Sequence, residues 1–287
     1  MIGTGRMGAA MAGTLRQAGF DLVVWNRDPA KASSVADDLG AVLAATPAVA
    51  AAAADLTLSS LADDVALEAV YLGANGIVAG LGSGSIAVDT STVDPDTVIR
   101  VAGEVQGTGA LFLDAPVSGS VATVEAGALT IMVGGDADAL ERAMPVLDAL
   151  SSRVIHIGGR GAGAAAKLAV NALVHGLNIA LSEALVLAER SGVDRSVAYE
   201  VFASGAAGAP FVQYKRAAYE NPEEAAVAFS LELVAKDLDL ITGLGKRVGA
   251  PLDQAEAGRA IVRRAIDAGM GEADLSAIAV YLRSLDK

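Results

Sequence analysis

The feature that most constrains this chain is a change of pattern near residue 160. Before it, short β-rich runs alternate with helical stretches, and after it the strands stop. The predicted strands are Leu22–Trp25, Leu56–Leu61, Ile86–Thr90, Leu111–Asp114, Thr130–Val133 and Val154–Ile157. Helical patterns fill the gaps at Met7–Ala18, Pro29–Leu39, Asp64–Gly73, Asp94–Gly103 and Asp136–Leu150. Apolar strands alternating with helices predict a parallel sheet covered on both faces. The run Gly161–Ser191 lacks proline and stays apolar through several turns. It predicts one helix of roughly 30 residues, about 45 Å long, with Gly192 as its stop. Further helices are expected at Ser196–Ser204, Pro210–Tyr219, Ser230–Val248, Leu252–Ala268 and Leu275–Leu285. The chain therefore reads as an α/β domain over residues 1–159 and an all-α domain over 160–287 built on one long helix. So apolar a helix needs cover on several sides, which predicts a partner subunit.

Composition removes several function classes. At 287 residues the chain suits one large or two ordinary domains. Its 53% hydrophobic content is incompatible with a disordered chain. A net charge of −13, from 34 acids against 21 bases, argues against nucleic acid and against an anionic membrane surface. The absence of cysteine excludes disulfides, thiolate catalysis and thiolate-bound zinc. Two histidines, His156 and His175, are too few for a His-rich metal site. No stretch reads as a membrane helix or a signal peptide. The expectation is a cytoplasmic protein with no membrane partner.

The segment Gly3-Thr4-Gly5-Arg6-Met7-Gly8 matches G-x-G-x-x-G. Such glycines allow a tight turn and let backbone N–H groups at a helix N-terminus approach a pyrophosphate. The helix follows as required, but only Met1 and Ile2 precede Gly3, where a strand normally has roughly five residues. A Gly-rich turn without a ligand is the alternative. The next strand ends in Val24-Trp25-Asn26-Arg27, at the place where NAD-selective folds carry an acid for the ribose 2′-hydroxyl. Asn26 is neutral, Arg27 is cationic and Lys31 adds charge, which suits a 2′-phosphate; NADP(H) is expected over NAD(H). Asp28 fits as the cap of a helix whose first residue is Pro29. The competing reading makes Arg27 a solvated surface residue.

Lys167 is the only charged residue between Gly161 and Ser182. Burying it without a role would be costly, so it is either functional or snorkels to the surface. Desolvation lowers an amine toward the range of a useful base, and the protonated amine would stabilise a forming alkoxide. Asn171, four residues on, lies about 40° round the helix and shares the face of Lys167. Asn178 reads as packing or an inter-subunit contact. A catalytic His–carboxylate pair is the rival, but His175 has no evident acidic partner in the sequence. His156 alternates within a strand and reads as structural. Ser118-Gly119-Ser120 follows a strand and Pro116, where exposed N–H groups and hydroxyls could nest a carboxylate; an ordinary turn is the alternative. Thr90, Ser91 and Thr92 end a strand, where such sheets place ligand contacts. Gly158–Gly163 is either a hinge or a segment whose N–H groups face the cofactor.

These motifs together resemble the β-hydroxyacid dehydrogenase family, a 6-phosphogluconate dehydrogenase-like group that includes 3-hydroxyisobutyrate dehydrogenases and tartronate semialdehyde reductases. The resemblance runs from Gly3–Ala12 and Val24–Arg27 through Asp89-Thr90-Ser91-Thr92-Val93-Asp94-Pro95 and Asp114-Ala115-Pro116-Val117-Ser118-Gly119-Ser120. It continues through Gly127–Gly135, Gly161–Asn171, Lys236-Asp237-Leu238 and Asp274-Leu275-Ser276-Ala277. It implies a Rossmann-type first domain, a helical second domain, and a homodimer or homotetramer built around the long helix. It also implies a nicotinamide cofactor and, as substrate, a short β-hydroxyacid or its semialdehyde. By motif position Lys167 is the catalytic acid/base and Asn171 its neighbour. Ser118, Gly119 and Ser120 hold the substrate carboxylate. Leu61 and Ala62, with Thr92 and Lys236, line the cofactor. Two departures bear on the substrate: Ser120 stands where a second glycine is usual, and Val170 where an asparagine is frequent. Imine reductases resemble the chain through the same loop but generally replace the lysine with Asp or Tyr. A non-catalytic NADP(H)-binding module is the remaining alternative, and the Lys167–Asn171 pair speaks against it.

Overall fold

The computed structural model describes residues 1–285. Its strands are β1 Val23–Val24, β2 Val42–Leu43, β3 Leu56–Ser59, β4 Ile86–Asp89, β5 Leu111–Asp114, β6 Val117–Ser118, β7 Leu129–Gly135 and β8 Ser151–Gly158. The helices of the α/β part are α1 Arg6–Gln17, α2 Pro29–Leu39, α3 Pro47–Ala52, α4 Asp64–Leu72, α5 Ile77–Gly80, α6 Pro95–Gly107, α7 Val121–Glu125 and α8 Ala137–Leu150. After β8 come α9 Ala162–Arg190, α10 Arg195–Ser204, α11 Pro210–Glu220, α12 Leu231–Val248, α13 Asp253–Ala265 and α14 Ala277–Ser284. The chain divides into two compact units, Met1–Lys167 and Leu168–Lys287. Each is described by itself.

In the first unit, β1 pairs with β2, and β3, β4 and β5 pair in register, all parallel. Two residues stitch these sets together. Ile2 bridges Trp25 on one side and Ser59 on the other, with Ile2 N donating to Leu58 O at 2.8 Å and Gly3 N to Trp25 O at 2.8 Å. A two-residue stub thus fills the place of the first Rossmann strand. The Met1 nitrogen donates to Val23 O at 2.6 Å. The sheet is not parallel throughout: β7 runs antiparallel to β5 and β6 and parallel to β8. Side-chain alternation covers both faces. Val88 and Leu113 join an apolar cluster with Met11, Leu15 and Leu147. Ala87 and Phe112 face a second one with Leu67, Tyr71 and Val98. The last strand departs from expectation, because Ile155 and Ile157 are exposed rather than buried.

The cap at Asp28 is present: its carboxylate accepts from Ala30 N at 3.0 Å, Pro29 follows, and Gly40 closes α2 in the left-handed region. In the second unit, one core gathers Leu185, Tyr199, Tyr219, Leu231, Val262 and Ile278. The helix expected to run to Ala268 stops earlier. Past Ala265 the chain makes a single wide turn, Ile266–Met270, and Gly269 at φ +88° breaks it. Helix α9, with 29 residues and a mean hydropathy of 1.5 over its most apolar window, is long and apolar enough to cross a membrane by those measures. This corrects the reading that no stretch is. The core helix of a globular protein meets the same measure, and α9 carries a buried polar seam of Asn171, His175, Asn178 and Ser182. Asn178, left open between packing and an inter-subunit contact, donates to Leu275 O at 3.0 Å and accepts from the Tyr219 hydroxyl at 2.6 Å.

Candidate active site

The glycine loop has the shape its motif requires. Gly3 adopts φ +86°, and a Cβ there would lie 2.3 Å from Ser60 O; one at Gly8 would lie 2.0 Å from Gly3 O. These two positions therefore exclude side chains, whereas the space above Gly5 is open to at least 4 Å. Gly5 is the N-cap of α1 and supplies no side-chain cap, and the first turn holds no acid. The helix N-terminus thus presents uncapped positive potential to open space. Thr4 is buried, and its hydroxyl has no hydrogen-bond partner among the described residues. An orphaned hydroxyl beside an open helix N-terminus fits a pyrophosphate. Arg6 is exposed and Met7 half-buried at this edge.

Asn26 does a job the sequence did not reveal. Its Oδ1 accepts from Thr4 N at 3.1 Å, and its Nδ2 donates to Asp28 O at 3.1 Å. It ties the glycine loop to the end of β1. Arg27 and Lys31 are exposed just beyond it. Leu61 also comes to the loop: its Cδ2 would sit 3.2 Å from a Cβ on Gly3. Ala62 is exposed and Thr92 half-buried. Thr90 and Ser91, expected to face a ligand, are buried and bonded inward. Thr90 donates to Ser59 O at 2.7 Å, and Ser91 donates to Asp89 Oδ1 at 2.7 Å while accepting from Leu61 N at 2.9 Å. Ser59 donates to the same carboxylate at 2.7 Å. Burial raises the Asp89 carboxyl to about 6 despite these hydroxyls.

The turn Ser118-Gly119-Ser120 only partly supports the expected anion nest. Ser120 caps α7 in a reciprocal box, its N–H donating to Thr123 Oγ1 at 3.1 Å and its Oγ accepting from Thr123 N at 3.4 Å. Its N–H is therefore engaged locally. Ser118 and Gly119 are the members of the turn that the box does not use. Gly119 is required for space as well, since a Cβ there would lie 2.7 Å from Leu129 Cδ2.

Within the glycine segment 158–163, the N–H of Gly161 is engaged inside the chain. Asp114, at the end of β5, accepts from Gly161 N at 2.9 Å and Ala164 N at 2.9 Å. A carboxylate thus supplies the N-terminal cap of α9 from another element. A Cβ on Gly163 would lie 2.5 Å from Asp114 O, so the helix start packs directly on the strand. Burial pushes the Asp114 carboxyl up, opposed by those backbone N–H groups. Lys167 follows Ala164 by three residues and is half-buried. The signal for this clamp was present in the sequence as an acid closing an apolar strand before Ala115-Pro116.

In the second unit, α9 carries Asn171 and His175, and α12 carries Lys236 and Asp237. Asp237, fully buried, accepts from Asn171 Nδ2 at 2.6 Å, and His175 Nε2 lies 3.4 Å from the same oxygen. Lys236 Nζ lies 2.9 Å from the other oxygen. Burial alone would raise this carboxyl; the His175 hydrogen bond and the Lys236 charge hold it below the usual carboxylate range. His175 therefore has the acidic partner that the sequence reading did not find. Lys236, expected as a cofactor contact, forms this ion pair. His156 is structural as expected, its Nε2 meeting Gly135 O at 2.9 Å. Among the described residues no cluster of three or more His, Cys, Asp or Glu could hold a metal ion.

Residues 1–158 match the sequence family described as the NAD binding domain of 6-phosphogluconate dehydrogenase. Residues 161–282 match that described as NAD-binding of NADP-dependent 3-hydroxyisobutyrate dehydrogenase. The chain is 35% identical over 288 residues to glyoxylate/succinic semialdehyde reductase 2, chloroplastic, of Arabidopsis thaliana, covering 99% of this chain and 78% of that one. It is similar in structure to a 3-hydroxyisobutyrate dehydrogenase of Mycobacterium tuberculosis solved with L-serine. That match has a TM-score of 0.87 and 30% identity, over 99% of this chain and 98% of the other. An imine reductase from Pseudomonas sp. matches less well, with a TM-score of 0.65 and 26% identity over 98% and 97% of the two chains. Matched in both its α/β and helical parts, the chain belongs to the β-hydroxyacid dehydrogenase family, whose members are NAD(P)-dependent oxidoreductases.

Proposed function

We propose that the protein transfers hydride between NADP(H) and a short β-hydroxyacid or its semialdehyde, with Lys167 as general acid/base. A bound nicotinamide coenzyme supplies or accepts the hydride. Gly3, Thr4, Gly5 and Gly8 would hold its pyrophosphate, with Arg6, Met7, Leu61, Ala62 and Thr92 around it. In the oxidative direction Lys167 removes the hydroxyl proton; in the reductive direction it returns one to the forming alkoxide. Its ammonium form stabilises that oxyanion. Asn171, one turn further along α9, hydrogen-bonds the substrate, and Ser118 and Gly119 receive the carboxylate.

The observation that carries this reading is the placement of Lys167. It is the one charged side chain in the first two-thirds of α9, half-buried and three residues beyond the Asp114 clamp. Lys167→Ala should lower kcat roughly 10²- to 10⁴-fold while a fluorescence titration shows NADPH binding retained. Wild-type turnover with a panel of semialdehydes would overturn the role. Loss of NADPH binding in the unaltered protein would overturn the coenzyme assignment itself. An imine reductase is the weaker reading, because Lys167 is in place.

The preference for NADP(H) over NAD(H) rests on Arg27 and Lys31, exposed where an NAD-selective site has an acid. Arg27→Asp should shift the ratio of kcat/KM values toward NADH by about tenfold or more, the worth of a charged hydrogen bond; an unchanged ratio would remove Arg27 from the 2′-phosphate. Exposed Leu173 and Leu187 on α9 support a homodimer or homotetramer.

A further inference from the structure

His175 is a buried titratable group that the chemistry above does not use. Only 2% of it is exposed, and the Phe229 ring packs against it at 6.0 Å and 31°. Its Nδ1 has no hydrogen-bond partner among the described residues. Its Nε2 and the Asn171 amide converge on a single oxygen of Asp237. We propose that His175 is a positioning residue for Asn171, acting through Asp237.

An ionised carboxylate only accepts hydrogen bonds, so both neighbours must turn an N–H toward it. For Asn171 this fixes the amide, with Nδ2 toward Asp237 and Oδ1 together with the second N–H left for the substrate. For His175 it places an N–H at Nε2, facing the carboxylate. Asp237 has a competing partner, because Lys236 on its own helix draws the other oxygen at 2.9 Å. With His175 removed, the oxygen that holds Asn171 loses one of its two donors, and the carboxylate is free to swing toward Lys236. The Asn171 amide then loses its fixed orientation. Small misplacements of positioning groups are expensive in rate even where binding is intact.

This inference rests on the reading that Asn171 meets the substrate, and the experiment separates the two. Full-length wild-type, Asn171→Ala, His175→Leu, His175→Gln and the Asn171→Ala/His175→Leu double variant are compared by steady-state kinetics. The substrates are NADPH and the best semialdehyde of the panel. His175→Leu should lower kcat roughly ten- to hundredfold with KM for NADPH unchanged. His175→Gln, whose amide nitrogen reaches where Nε2 stands, should restore most of it. In the Asn171→Ala background, His175→Leu should cost less than about twofold, because coupled residues are not additive. Should His175→Leu fail to fold by thermal shift, His175→Asn, whose amide stops short of Asp237, takes its place. Additive losses with an impaired Asn171→Ala overturn the positioning role alone. A glutamine variant as impaired as the leucine variant also overturns it and favours a catalytic His–carboxylate pair. Wild-type kcat in Asn171→Ala overturns the reading of Asn171, and this inference with it.

Discussion

Each compact unit holds a carboxylate almost sealed from water, and the two are pushed in opposite directions. In the first unit Asp89 receives the hydroxyls of Ser59 and Ser91 and the backbone N–H of Ser91. Burial dominates, and its pKa rises to about 6. In the second unit Asp274 receives the Lys215 ammonium at 2.8 and 2.9 Å, with N–H groups of Ala228 and Ser276. Burial would raise this carboxyl too, but the lysine holds it below the usual range. Both carboxylates receive serine hydroxyls and backbone N–H groups; the one that also touches a cation is the one held low. The pH dependences are opposite in sign. The stabilisation tied to protonated Asp89 is full below about 3.8 and is lost as pH rises through about 6. That of ionised Asp274 is present above the unfolded carboxyl value and is lost as pH falls.

Removing the cation is the most damaging way to break this comparison. Lys215→Met leaves a buried uncompensated carboxylate and should cost about 3–5 kcal/mol in denaturant unfolding; a loss below about 1 kcal/mol would show that Asp274 is not charged in the fold. The comparison is sharpened next at Asp89. Asp89→Asn cannot ionise, so its stability relative to wild type should rise between pH 4 and pH 7, by at most about 3 kcal/mol for a two-unit shift. Thermal unfolding at the two pH values measures this, and a difference that stays flat would mean Asp89 is ionised throughout. The smallest effect is expected at Ser59→Ala, about 1–2 kcal/mol for a hydroxyl that bonds both Asp89 and the Tyr71 hydroxyl. It should also move the Asp89 transition further upward in pH, and a downward move would contradict the hydroxyl's part in it.

What the sequence made legible follows the length of each signal. Helix α2 was read to the residue because Asp28, Pro29 and Gly40 punctuate it, and β5 because turns bound an apolar run. The two-residue β6 and five-residue α7 are too short to show periodicity. Without them the reversal of β7 was hidden, and the sheet read as wholly parallel. At the candidate site, the glycine loop and Lys167 stood out through local pattern. Their supports did not, because each joins distant positions: Asp114 to Gly161 and Ala164, Asp237 to Asn171, Asn26 to Thr4. The shared face of Asn171 and His175, four residues apart, was a visible clue to a common partner, but nothing in the spacing named Asp237.

The Asp114 clamp turns the start of α9 into a measuring stick. Gly161 and Ala164 are anchored to the strand end, and Lys167 projects at a set count from them. One residue inserted between anchor and lysine would swing the amine by about 100° and advance it by about 1.5 Å. No adjustment of its own rotamer could undo that turn. The spacing from anchor to amine is therefore as much a part of the chemistry as the amine, and outside Gly161, Gly163 and Lys167 this short stretch should tolerate changes of side chain far better than changes of length.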